Sequence, residues 1–273
     1  AGDAAKPAVL LLHGFPGSAR TFRDVVPELA RKAYVIVPEL PGFGESDVLP
    51  EPSFPAFGRA VSELLRRLGV GKRYIYLHDF GAPVGFHIAM QEPQQVLGLI
   101  VQNANAHRTG LGPPWAPVID YWTHPNPENE AAATAHLTLE GVRNGIIGGA
   151  PPDLAARIPA EIWEEDWRVM NLPGRMDTQR ALIKDYGNYV ARFEEIATYL
   201  ARWQPPALML WGKHDPFFDL AEILSWLRTL PRMEAHLFDA GHKLLETHSA
   251  AATPLMLDFI ERSQRESQGS RRG

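Results

Sequence analysis

The sequence predicts an α/β fold with a mostly parallel central sheet, flanked by helices and interrupted late by a helical insertion. Three observations predict it. Short, continuous apolar runs recur at residues 8–13, 33–38, 73–77, 95–103 and 206–212. Continuous rather than alternating runs mark strands buried on both faces, as a parallel sheet requires. Helical patterns at residues 18–31, 54–69, 220–230 and 250–262 separate or follow those runs, the alternation that builds parallel sheets. From residue 107 to about 203 this rhythm stops. The stretch is rich in Pro, Trp, Tyr and Asn, with helical patches and no convincing strand. The organisation expected is a first core segment (residues 1–106), a helical cap (107–203), a second core segment (204–262) and a flexible polar tail (263–273).

The totals fit this layout. A chain of 273 residues with 45% apolar residues can bury a sizeable core. A net charge of −5 favours neither nucleic acid nor an anionic membrane. Cysteine is absent, which excludes disulfides and thiolate metal sites and is compatible with a cytoplasmic setting. No apolar run approaches a membrane span, and residues 1–7 read as a polar turn rather than a signal peptide.

Taken in order, the run at residues 8–13 is a buried strand that leads directly into His13-Gly14-Phe15-Pro16-Gly17. Loops at the carboxyl ends of parallel strands are where such sheets place chemistry. A helix over 18–31 and a strand over 33–38 follow, then the Gly/Pro loop Leu40-Pro41-Gly42-Phe43-Gly44-Glu45-Ser46 and a helix over 54–69. The centre of the chain is Arg73-Tyr74-Ile75-Tyr76-Leu77-His78-Asp79-Phe80-Gly81, a β-branched and aromatic strand that ends in small residues and enters a helix. A sharp strand-to-helix turn pushes the side chain at its tip into the open, the geometry a nucleophile needs. Asp79 alone is equally readable as an N-cap. After the insertion come a strand ending at Gly212-Lys213-His214-Asp215-Pro216, a helix over 220–230, a strand over 234–238 ending in Asp239-Ala240-Gly241-His242, and a last helix over 250–262.

Asp79, Asp215 and His242 thus each follow a strand at its carboxyl end, in the chain order nucleophile, acid, histidine. Three such residues in three equivalent loops are a poor fit to three independent caps. The backbone N–H groups of Phe15 and Phe80 are the candidate oxyanion hole.

With these motifs in this order, the chain resembles α/β-hydrolase-fold enzymes of the epoxide hydrolase and haloalkane dehalogenase group, over nearly its whole length. The resemblance implies an Asp nucleophile, a helical cap and no cofactor or metal. Two departures stand out. Leu77 occupies a position where epoxide hydrolases usually carry Gly, whereas dehalogenases accept a larger residue. Two strands that the group carries ahead of the His-Gly-Phe-Pro strand have no counterpart here: either the sequence is truncated or the sheet has only six strands, and in the second case residues 33–38 form an exposed edge.

An Asp nucleophile suits attack on saturated carbon, giving an alkyl-enzyme ester that water activated by His242 then hydrolyses, with Asp215 orienting the histidine. Ester hydrolysis would call for Ser or Cys at the elbow. Phe80 and Phe15 offer no side-chain donor for a halide, and Phe80 cannot hold a substrate carboxylate as Arg does in haloacid-type relatives. The resemblance implies one or two cap tyrosines as acids for an epoxide oxygen. Spacing points to Tyr186 and, as its partner, Tyr121, with Tyr189 as substitute for either. Both are also readable as amphipathic core residues. The expected partners are a small apolar substrate and water, with homo-oligomerisation open. Hydrolytic dehalogenation and a ligand-binding protein without turnover stand as alternatives.

Other features weigh less. Asp79-Phe80-Gly81 spells the kinase metal motif without its partner loops. No histidine pair has zinc-helix spacing. His78 is expected to pack structurally, with tuning of access as the alternative, and His107, His124 and His136 to face solvent, with lining of the pocket as the alternative. Trp115, Trp122, Trp163 and Trp167 are candidates for an apolar cavity wall.

Overall fold

The computed structural model of the protein describes residues 1–269. Six strands, β1 (Ala8–Leu12), β2 (Tyr34–Ile36), β3 (Arg73–His78), β4 (Val96–Gln102), β5 (Ala207–Gly212) and β6 (Glu234–Phe238), form one sheet in the order β2-β1-β3-β4-β5-β6. All five pairings are parallel. The apolar runs work as the parallel sheet demands: Leu10 and Leu12 of β1 face one core and Val9 and Leu11 the other, all fully buried. As expected, β2 lies at an edge. Ala1 covers part of it: its ammonium donates to the Val35 carbonyl, and the Val35 N–H donates back to Ala1, each at 2.8 Å.

The helices are α1 (Val26–Leu29), α2 (Phe54–Arg67), α3 (Gly81–Gln91), α4 (Ala116–Thr123), α5 (Pro127–Ala133), α6 (Leu139–Ile147), α7 (Pro152–Ala155), α8 (Glu161–Met170), α9 (Arg175–Ala191), α10 (Phe193–Trp203), α11 (Ala221–Thr229) and α12 (Leu245–Gly269). Ser53 caps α2, its hydroxyl accepting from Ala56 N–H. The apolar positions of α2 recur at helical spacing (Phe54, Phe57, Val61, Leu65) and are buried. Helices α4 to α10 all lie between β4 and β5, which pair directly. The chain therefore leaves the sheet at one strand end and returns beside it, and α9 packs on α2 and α4.

Two expectations need correcting. Residues 18–31 do not form one helix. They form a 3-10 turn at Ala19–Phe22, capped by the Ser18 hydroxyl, and then the short α1. Pro27 has no N–H and fits only a first helical turn, so the helix must restart there. At the other end α12 runs further than residues 250–262; its first residues, 245–247, are a separate turn set off by a kink at His248, whose backbone is not helical, so the long helix begins about where expected. Ser263, placed in the flexible tail, is buried, and its hydroxyl meets the Tyr74 hydroxyl at 2.5 Å. The remainder of that tail, residues 270–273, lies outside the described residues.

Candidate active site

Strand β3 passes into α3 through only Asp79 and Phe80. Asp79 has φ 48°, a left-handed conformation that costs a residue with a Cβ roughly 1–2 kcal/mol. Strain of this kind persists only where the surroundings fix it, and it gathers at functional sites. Here the Asp79 N–H donates to the Asn103 carbonyl at 3.3 Å, and its own carbonyl accepts from Ala82 N–H at 2.9 Å. The N-cap of α3 is Phe80, and no side chain caps that helix. Asp79 is thus free of the capping role its residue type suggests. Gly14 and Gly81 permit the close approach: a Cβ on Gly14 would stand 2.3 Å from Asp79 Cβ, and one on Gly81 2.5 Å from the Leu12 carbonyl oxygen.

The sheet order brings the three dispersed residues together, because the ends of β3, β5 and β6 open on the same side. Asp215 Oδ2 accepts from His242 Nδ1 at 2.8 Å, so His242 Nε2 faces Asp79 Oδ2, 3.7 Å away. Asp215 is 1% exposed at its side chain and fully engaged. Its Oδ1 accepts from Phe217 and Phe218 N–H, and its Oδ2 also accepts from Asn103 Nδ2 at 2.7 Å. Four donors hold this carboxylate immobile. Beneath His242 lies His78, with ring centroids 4.7 Å apart. His78 packs structurally, as expected: burial, and then the charge His242 can carry, lower its pKa well below the usual imidazole value. It therefore stays neutral when its neighbour takes a proton. Gln102 completes this floor, donating to the His242 carbonyl at 3.0 Å and accepting from the Tyr76 hydroxyl.

Asp79 Oδ1 accepts from Phe15 N–H at 2.5 Å. His13 sets that loop. Its Nδ1 bonds the Gly14 carbonyl and its Nε2 accepts from Leu40 N–H, which fixes a neutral tautomer. Burial depresses its pKa to about 4. The two Asp79 oxygens are thereby inequivalent: Oδ1 is held by a backbone donor, and Oδ2 faces the histidine.

Above Asp79 is a cavity of about 230 Å³ walled by Phe15, Phe80, Trp115, Val118, Ile183 and Phe217, with His136 and Tyr186 as its other polar members. Tyr186 is 1% exposed and stacks on Trp115 at 4.9 Å. Its hydroxyl makes no well-formed protein hydrogen bond, and the Asn105 side chain lies within its reach. Burial, then nearby Tyr189 and Asp79, push its pKa well above the usual phenol value, so it carries its proton at neutral pH. The Tyr189 hydroxyl is committed to the Asn105 carbonyl. Tyr121 is not brought to this cavity. It is buried on α4 and turned toward Glu130 of α5.

Of the two readings for His136, solvent and pocket lining, the structure shows the second: it lines the cavity. It lies edge-on to Phe15 at 5.8 Å. Burial lowers its pKa, with the Ala133 carbonyl and the Asp79 charge opposing. His107 is half-buried and bonded to the fully buried Glu222, whereas His124 is exposed as expected. Among the tryptophans, Trp115 walls the cavity and Trp122 stacks behind Tyr186. Trp163 and Trp167 pack partly buried against the core outside the cavity wall. Sequence reasoning missed Asn103 as a partner of Asp215. A signal existed: Asn103 directly follows β4, which runs between the Asp79 and Asp215 strands. For His136, in a short turn between α5 and α6, no periodicity marked its direction.

No helix among the described residues is long and apolar enough to cross a membrane, and no group of three or more His, Cys, Asp or Glu is placed to hold a metal ion.

Residues 7–249 match the family model described as the alpha/beta hydrolase fold. An uncharacterized hydrolase of Saccharomyces cerevisiae is 32% identical over 257 residues, spanning 92% of this chain and 88% of its own. Two relatives match about a third of the chain. Juvenile hormone epoxide hydrolase of Bombyx mori is 36% identical over 99 residues, covering 33% of this chain and 22% of its own. A haloalkane dehalogenase of Bradyrhizobium diazoefficiens is 35% identical over 100 residues, covering 36% of this chain and 32% of its own.

Proposed function

Since the chain belongs to the α/β hydrolase fold family, we propose that it is a cofactor-independent hydrolase that opens epoxides to vicinal diols through a covalent ester on Asp79. In this reading Oδ2 of Asp79 attacks an epoxide carbon and the C–O bond of the ring breaks. The ring oxygen takes the proton of the Tyr186 hydroxyl. Water then attacks the ester carbon while His242 removes its proton, and negative charge develops on Oδ1, the oxygen that meets Phe15 N–H. Collapse breaks the Cγ–Oδ2 bond, the diol leaves with a proton from His242, and Asp79 retains one oxygen from water, whose second proton passes from the Asp79 carboxyl to the Tyr186 phenolate. Asp215 orients His242 and offsets its charge. Helices α4 to α10 act as the cap that excludes water from the apolar cavity.

The observation that carries the choice of leaving group is the state of the cavity's donors. The indole N–H of Trp115 is spent on the Phe217 carbonyl at 2.7 Å, and that of Trp122 on the Ile183 carbonyl at 2.8 Å. A departing halide needs such donors. The buried, protonated Tyr186 hydroxyl, aimed into the cavity with no well-formed hydrogen bond of its own, suits an alkoxide instead. Tyr121 has no part in this scheme.

The test is a single turnover with styrene oxide in oxygen-18 water, followed by mass spectrometry of the protein and its peptides. Diol formation with label in the Asp79 carboxylate is expected. Absence of both, with halide release from haloalkanes, would replace the epoxide reading by dehalogenation. Silence with both substrate classes would favour a binding protein without turnover.

A further inference from the structure

Lys243 follows His242 in the chain and is 3% exposed. Its ammonium donates to the Phe15 carbonyl at 2.9 Å. Phe15 is therefore gripped from both sides, through its N–H by Asp79 Oδ1 and through its carbonyl by a cation. The loop wraps tightly here: a Cβ on Gly17 would stand 3.2 Å from Lys243 Nζ.

A buried ammonium costs several kcal/mol unless it is paired, so its retention needs a reason. The groups around it supply compensation. Lys243 lines a small cleft with Ser18, Thr21, Ile162, Asp166 and Glu246. Glu246 is engaged by both guanidinium nitrogens of Arg23. Arg20, also at this cleft, is paired with Glu161. Asp166 on α8 lines the same cleft without an ion pair to Lys243 within 4 Å, and the ammonium favours its charged form against a burial that raises its pKa to about 6. A loop bearing a backbone donor, a buried cation and a carboxylate from the helical insertion thus border one cleft.

We infer that Lys243 is a positioning residue of the hydrolytic half-reaction: seated on the Phe15 carbonyl, its ammonium holds the Phe15 N–H where the oxyanion forms on Asp79, with Asp166 of α8 as counter-charge. The inference rests on the reading of Asp79 as nucleophile. It has a specific kinetic consequence. During alkylation Asp79 loses charge, and the Phe15 N–H contributes little to that step's barrier. During hydrolysis charge builds on Oδ1, and a misplaced N–H raises that barrier. Loss of Lys243 should therefore slow the second step selectively.

The experiment compares wild type, Lys243→Met and Lys243→Gln with styrene oxide, by steady-state kinetics and by mass spectrometry of rapidly quenched protein. Met matches the length without a donor, and Gln keeps an N–H without the charge. In Lys243→Met, kcat should fall about tenfold, less than the loss of an oxyanion donor itself. KM should fall with it, leaving kcat/KM nearly unchanged, and the adduct of mass Asp79-plus-substrate should accumulate. Lys243→Gln should lie between Met and wild type. Equal falls of kcat and kcat/KM without adduct, or unaltered kinetics, would overturn the inference while wild type still labels Asp79. Wild type without label at Asp79 would overturn the underlying reading first, and this one with it.

Discussion

Leu77 and Gly85 face each other across the elbow: a Cβ placed on Gly85 would stand 2.2 Å from Leu77 Cδ2. Both residues are fully buried, one on β3 and one a turn into α3. The bulk of Leu77 is accommodated by the absence of a side chain at position 85. Gly85→Ala should then destabilise the fold by roughly 1–3 kcal/mol through overpacking, despite the better helix propensity of Ala. Leu77→Ala in the same chain should recover part of that loss, as contacting residues couple. Urea unfolding of the two single variants and the double variant measures it. Strictly additive effects would mean that the two side chains do not compete for one space.

Asn103 links two site residues. Its carbonyl accepts from Asp79 N–H, and its amide donates to Asp215 Oδ2 and to the Gly212 carbonyl, while its own φ of 39° is left-handed. Asn103→Ala removes a hydrogen bond to a charged acceptor, worth about 1.5–3 kcal/mol. If that support is felt in the transition state, kcat drops roughly 10- to 100-fold. The steady-state rate on the preferred epoxide, alongside an unfolding curve, separates this from a simple loss of stability. An unchanged kcat in a stably folded variant would show that the Phe217 and Phe218 N–H groups alone fix Asp215.

Tyr186→Phe keeps the stack on Trp115 and removes only the hydroxyl. Ring opening should slow by about 10²–10⁴, the usual worth of general acid catalysis. Tyr121→Phe should leave kcat near wild type, because Tyr121 faces Glu130. Single-turnover adduct formation with styrene oxide reads the step directly. Equal effects from both substitutions would return Tyr121 to the site.

The contrast between these tyrosines marks how far the sequence was legible. Strand positions, their parallel pairing and the loops holding Asp79, Asp215 and His242 follow from runs of buried apolar residues and the punctuation after them. Those signals are local and repeated. Tyr121, Tyr186 and His136 sit on helices and turns whose direction is set by packing of α4, α5 and α9 against one another, and no periodicity encodes that. Lys243 was invisible for another reason. A lysine in a sequence reads as surface, and only the Phe15 carbonyl above it shows why it is buried.

Acid should unfold the protein through its neutral histidines. His13 is fully buried, and its pKa is lowered from 6.5 to about 4, chiefly by burial. His78 is displaced in the same direction for the same first cause. A folded pKa below the unfolded one means that the unfolded chain binds more protons between the two values. Stability is therefore complete above about pH 6.5 and is lost as pH falls toward 4, by at most on the order of 3 kcal/mol for His13 alone. His13→Gln keeps an amide donor and acceptor without titrating. It should lower stability at pH 7 yet flatten the decline between pH 6.5 and pH 4.5. Urea midpoints across that range provide the check, and a decline as steep as in wild type would place the acid sensitivity elsewhere.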